Sequence, residues 1–384
     1  MDPQPKRSSW SPSTDNTKGI LVTVLIVVLG GLLFAALANW VTRSLLPGTR
    51  LVQALAESRG ILTAWDILAI PVLIMFVLGT HEIGHLLGGL SQRMKFVLLI
   101  VGPFGWHASA AGIRFQWNTH VAFMGGLAAA SPTETGASLR RQLLVLIAGG
   151  PVASLLLAIL AVPLAAVSDP RFAAYFIWIA AMSFGIFFVT LIPTRAGGFM
   201  SDGMQLIDVL RGGSAAIEKS ALLQVFAQSM EGVRPRDWSA SAIDALSRIE
   251  SEKSPQQSGG SLYLLARAMD CQHQDDIARY RKRLEEGVDA QPSAFKQTIH
   301  IELAICAWLT GDAAALRRHL EAGKGGIVEE SRRLLAQAAL AKLEGRHEDC
   351  ERDRLLALKA LAKTSDAGQG KLTEDQLAML QGTS

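Results

Sequence analysis

The stretch of this chain best equipped for chemistry is His81-Glu82-Ile83-Gly84-His85. On a helix, residues four apart share a face, with Cβ atoms about 5–6 Å apart. Two imidazoles so placed can hold one Zn²⁺ at about 2.0–2.1 Å. Glu82 is offset by one residue and can take a proton from water whose pKa the metal lowers to about 7. The motif lies inside the apolar stretch from Ile67 to Leu90. A charged residue at the centre of a membrane span costs about 2.5–3.5 kcal/mol, a penalty that a purely structural role does not explain.

A zinc site that leaves one position open for water needs a third protein ligand. Asp202, in Phe199-Met200-Ser201-Asp202-Gly203, is the leading candidate, with Gly197-Gly198 and Gly203 supplying backbone freedom to fold back. The competing role for this segment is a helix N-cap before Met204–Leu210. One division of labour lets Ser201 cap while Asp202 binds. His107 and His120 are alternative ligands, although no spacing logic links them to the pair.

The elements that must carry these residues are membrane spans. Ile20 to Trp40 is an uncharged run of 21 residues, enough to cross a hydrocarbon core of about 30 Å. Its Ala36-Leu37-Ala38 also resembles a signal-peptidase site. Further spans are expected over Ile67–Leu90, over Leu143–Val167 with an interruption at Gly149-Gly150-Pro151, and over Phe172–Ile192. Between them, residues 102–121 mix Gly, Trp, His, Arg and Phe and read as a membrane-associated hairpin. Lys6, Arg7, Lys18, Arg93, Lys95, Arg114, Arg140 and Arg141 outnumber Arg43, Arg50, Arg59 and Arg171. By the positive-inside rule, this puts the N-terminus and the C-terminal half on the cytoplasmic side.

The expected fold is thus mainly α: a polytopic membrane helix bundle with a membrane-associated hairpin, then a soluble α-helical domain. The divisions are a disordered tail (1–19), a first transmembrane helix (20–41), a core (62–212), a linker region (213–260) and the soluble domain (261–384); the pattern turns helical from about residue 215, and Arg234 to Gly260 is the Ser- and Pro-rich part. Gly311 and Gly345 stand 34 residues apart between helical stretches, the period of tetratricopeptide helix pairs; an ordinary helical bundle is the alternative. The 384 residues carry 49% hydrophobic and 18% charged side chains, which excludes a disordered chain. Three cysteines, all in the last third, exclude a disulfide scaffold, and a net charge of +3 implies no nucleic acid.

His81-Glu82-Ile83-Gly84-His85, then Gly150-Pro151-Val152-Ala153-Ser154, then Leu191-Ile192-Pro193 followed by Ser201-Asp202-Gly203, form an arrangement that resembles the site-2 protease family of intramembrane zinc metalloproteases. The resemblance covers roughly residues 65–212. It implies His81, His85 and Asp202 as zinc ligands, Glu82 as catalytic base and a three-helix core. It also implies a membrane-embedded or membrane-tethered protein or peptide as substrate, in regulated proteolysis or peptide maturation. The family often has Asn where this chain has Ser154 and Thr190, a departure that bears on substrate handling and leaves the ligands intact. The soluble half is expected to recruit a protein partner or to regulate. The rival reading is a catalytically silent relative that binds membrane helices and acts as a scaffold.

Overall fold

The computed structural model describes residue 66 and residues 68–381, apart from 119–122, 134–135, 197–198, 254–258, 292 and 326–327. The expected tail, first transmembrane helix, signal-peptidase site and His120 lie outside the described residues.

Three long apolar helices form the first half: α1 (Ala69–Ser91), α2 (Gly136–Val167) and α3 (Pro170–Leu191). Each is long and apolar enough to cross a membrane. The expected interruption of the Leu143–Val167 span does not occur: α2 runs on through Pro151 and Pro163. A membrane helix tolerates proline where neighbouring helices and local adjustment compensate the lost bond. Gly149 and Gly150 serve packing. A Cβ on Gly149 would run into the backbone of Gly84, one on Gly84 would lie 2.5 Å from the Gly149 carbonyl oxygen, and one on Gly88 would strike the Val145 carbonyl. Small residues thus let α1 and α2 touch backbone to backbone, the mode by which membrane helices gain van der Waals contact.

The expected hairpin is part of a four-stranded antiparallel sheet: β1 (Lys95–Val101), β2 (Phe104–Ser109), β3 (Gly112–Trp117) and β4 (Leu127–Ser131), in the order β3-β2-β1-β4. The sheet runs back along α1, with Gly89 beside Met94 and Ala130, Gly79 beside Val101, and Gly102 against Met75. Fourteen residues of α1 separate Met75 from Gly89, a rise of about 21 Å. Strand alternation puts Phe104, Trp106, Ile113, Phe115 and Trp117 on one face of the β2–β3 pair. Phe104, Ile113, Phe115 and Trp117 remain exposed there.

After α3, a short hairpin of β5 (Arg195–Ala196) and β6 (Phe199–Met200) leads into α4 (Asp202–Arg211) and α5 (Ser214–Met230). The joint between these helices, Gly212-Gly213, has φ 76° and 83° with ψ −156° at both, a conformation essentially restricted to glycine. Ala227 and Met230 of α5 pack on Val97 and Ala129 of the sheet.

Residues 213–260, given above as the linker region, are largely helical, in keeping with the helical pattern read from about residue 215. Besides α5 they form α6 (Ala240–Glu252), and Trp238, Ala242, Ile243 and Leu246 enter the core of the C-terminal domain. Serine recurs through the stretch, but the apolar residues recur at helical spacing. The rest of that domain consists of three helix pairs, α7–α8 (Ser261–Cys271, Gln274–Gly287), α9–α10 (Ser293–Leu309, Ala313–Ala322) and α11–α12 (Glu330–Leu343, His347–Leu361), closed by α13 (Ala367–Ala378). Each first helix ends near a left-handed residue, Gln272, Gly311 or Gly345, the usual way to stop a helix and reverse the chain. Ile301 to Trp308 of α9 are all buried, so α9 is an enclosed central helix. The buried Arg332 of α11 donates to Glu302 of α9 at 2.9 Å and to Gln376 of α13 at 2.7 Å, tying three helices together.

Candidate metal centre

The helical spacing of His81 and His85 brings their rings edge-on, with centroids 4.7 Å apart. Both side chains are buried and both are oriented through Nδ1. His81 Nδ1 lies 2.9 Å from Ser154 Oγ, and His85 Nδ1 lies 2.9 Å from the Leu146 carbonyl, both on α2. A carbonyl only accepts, so His85 Nδ1 carries the proton and Nε2 is left with a lone pair. The Gly150 N–H also points at this Nδ1, from 3.3 Å; the shorter contact to the carbonyl decides the tautomer. Gly150 is what admits the ring, because a Cβ there would fall 2.5 Å from His85 Cε1 and 2.7 Å from Cδ2.

Asp202 reaches the pair because its neighbours fix the start of α4. Ser201 caps the helix: its Oγ accepts from Met204 N at 3.3 Å and Thr194 N at 3.0 Å and donates to the Ile192 carbonyl at 2.7 Å. Gly203 packs against the Leu191 carbonyl at the end of α3, where a Cβ has no room. Of the two residues weighed for the cap, Ser201 takes that role, and the Asp202 carboxylate faces the histidine pair.

The donor atoms converge. His81 Nε2 and His85 Nε2 are 3.2 Å apart, Asp202 Oδ2 is 3.2 Å from His81 Nε2, and Asp202 Oδ1 is 3.5 Å from His85 Nε2. Ligands at about 2.05 Å from a tetrahedral zinc ion stand about 3.3 Å from one another; the two Nε2 atoms have that spacing, each carboxylate oxygen faces a different imidazole, and one ligand atom from each residue lies within 4.8 Å of the others. The chemistry agrees with the distances. The carboxylate and the Nε2 lone pair of His85 face one another, and Asp202 Oδ2 is a buried oxygen without a hydrogen-bond partner among the described residues. A cation held between them removes the mutual repulsion of these atoms and satisfies the oxygen. His81, His85 and Asp202 are thus a group that could hold a divalent metal ion.

Glu82 is buried on the same helix, within electrostatic reach of His85 and Asp202. Its carboxylate lies against Gly126, just before β4; a Cβ on Gly126 would sit 2.5 Å from Glu82 Oε1, and φ there is +105°. Of the other residues singled out in the sequence, His107 is buried on β2 with its backbone paired to Leu98 and lies outside the cluster. Thr190 bonds weakly to its own helix, at 3.5 Å from the Phe187 carbonyl. Ser154 proves to be the partner of His81, a role the sequence did not reveal because it depends on the rotation of α2. Gly126 was also missed, since a glycine 44 residues from Glu82 gives no local signal.

Comparison of the chain with protein-family models, with curated proteins and with solved structures finds no match. What fold and site define is a polytopic membrane protein with a buried His/His/Asp cluster, consistent with a metal-dependent active site on a membrane helix.

Proposed function

We propose that this protein is an intramembrane zinc metalloprotease of the site-2 protease type, with residues 62–212 as its catalytic core. The observation that carries the reading is the convergence of His81, His85 and Asp202, one ligand atom of each within 4.8 Å of the others, where the histidines share a membrane-length helix with Glu82. His81, His85 and Asp202 are the ligands. Bound there, zinc supplies a Lewis acid that polarises the scissile carbonyl and makes water acidic enough to deprotonate near neutral pH. Glu82 Oε1 takes the proton from the attacking water and later hands it to the leaving amine. Ser154 and the Leu146 carbonyl hold the two imidazoles so that Nε2 faces inward.

A helical substrate shields its peptide groups, so the scissile segment must be extended. β4 is an edge strand of the sheet, and the residue before it abuts Glu82. Its outer edge, unpaired among the described residues, is where backbone donors and acceptors would meet an extended segment, the strand-addition mode of peptide recognition. Substrates are therefore membrane-embedded or membrane-tethered polypeptides.

The test combines metal content and trapping. Protein purified in detergent carries about one zinc per chain, and His85→Ala loses it. Glu82→Gln keeps the zinc, cleaves nothing and retains substrate on purification. Vesicles of the Glu82→Gln variant that release the same fragments as wild type would refute proteolysis at this site. A zinc-loaded wild type that cleaves no membrane polypeptide would favour the scaffold reading.

A further inference from the structure

Asp202 differs from the two histidines in how it is held. The histidines sit mid-helix on α1, whereas Asp202 is the first residue of the ten-residue α4, reached through a two-strand hairpin. Ser201 fixes the helix start from one side. A second set of bonds straddles the aspartate. Gln205 Nε2 donates to the Met200 carbonyl at 3.0 Å, two residues before Asp202, while Gln205 N donates to the Ser201 carbonyl at 3.0 Å. The Gln205 side-chain oxygen in turn accepts from Lys219 Nζ on α5. Lys219 lies within electrostatic reach of Asp202 and Asp208. Its own helix is fixed independently, by Ala227 and Met230 on the sheet and by Ser229 Oγ, which bonds Asp366 of the C-terminal domain.

We infer that Lys219 and Gln205 are positioning residues for Asp202: a relay from α5 through Gln205 to the Met200 carbonyl clamps both sides of the aspartate and holds it at the metal. The inference rests on the zinc reading above and assigns α5 a task in it. Neither side chain touches substrate or the reacting atoms. The bearing of α4 on α5 is set by packing, with Val209 and Leu206 in one apolar cluster with Ala216, Leu143 and Leu146; the relay acts on the first turn of α4, where the aspartate stands. Partners that orient a metal ligand typically account for 10–100-fold in metal affinity.

The experiment uses the full chain in detergent, with Zn²⁺ affinity read by chelator competition and the ligand geometry read from the visible spectrum of the Co²⁺-loaded protein. Lys219→Met and Gln205→Leu are each expected to weaken zinc binding about tenfold and to alter the cobalt bands. Lys219→Arg, which keeps a donor, is expected to restore both. If Lys219→Met does not fold, Gln205→Leu alone decides. Wild-type affinity and spectrum in the folded variants would overturn the relay while leaving the zinc site standing. A wild type that binds no Zn²⁺ would overturn both.

Discussion

Replacing Gly150 by alanine tests the metal centre without touching a ligand. The added methyl would lie 2.5 Å from His85 Cε1 and 2.7 Å from Cδ2, with Nε2 nearer still. Ordinary contact begins at 3.4 Å, so the ring must retreat by about 0.9 Å, several times the roughly 0.2 Å that a metal–ligand distance tolerates. The retreat also strains the 2.9 Å bond from His85 Nδ1 to the Leu146 carbonyl. The variant therefore loses most of one ligand, and zinc affinity is expected to fall at least about 100-fold, beyond what outer partners alone contribute. Helix weakening does not offer a rival explanation, because alanine is favoured over glycine in a helix by about 1 kcal/mol. The assay is chelator competition on detergent-solubilised protein, with helicity followed by circular dichroism. Gly185→Ala on α3, where the added methyl meets nothing within 4 Å, serves as control. Wild-type zinc affinity in a folded Gly150→Ala variant would refute the placement of His85 against α2.

Other outcomes follow from the same geometry. Ser154→Ala removes the partner of His81 Nδ1 and should lower zinc affinity about tenfold, measured by the same competition. Gly126→Ala, which strains a backbone at φ +105° and crowds Glu82, should abolish cleavage while bound zinc stays stoichiometric by elemental analysis. In the C-terminal domain, His319 is pushed down from 6.5 to about 4, by burial first and then by neighbouring His300 and Arg318. The unfolded chain takes up this proton near 6.5 and the folded one resists until about 4. Its contribution to stability is complete above pH 6.5 and declines as pH falls through that window, by at most roughly 3 kcal/mol. Urea unfolding at pH 7 and pH 4.5 should show the loss, and His319→Gln should flatten it.

The histidine pair was legible because its spacing is a property of one helix, and the apolar residues around it made a charged cluster costly enough to notice. Asp202 was legible only as a position after the last span; Ser201 caps α4 as a residue of its type should, which frees Asp202 to turn inward. The sheet was half legible. β2 and β3 carry the aromatic alternation of strands, whereas β4 reads Leu-Ala-Ala-Ala-Ser and owes its conformation to pairing with β1. Helix α5 lies where a helical pattern begins, whereas α6 was hidden by the serine-rich composition of residues 234–260, although Trp238, Ile243 and Leu246 already mark a buried side. Residues such as Ser154 and Gly126 matter through what a distant element places beside them, and no reading along one strand or helix discloses that.

The backbone contact of α1 with α2 through Gly84, Gly88 and Gly149 has a consequence for how such a molecule ages and adapts. At those glycines the two helices meet backbone to backbone, whereas the aspartate rides on a separate short limb, α4, reached through a two-strand hairpin. Heat should evict the ion by releasing that limb while the paired histidines keep their posture, and cooling in the presence of fresh ion should then rebuild the centre without refolding the span.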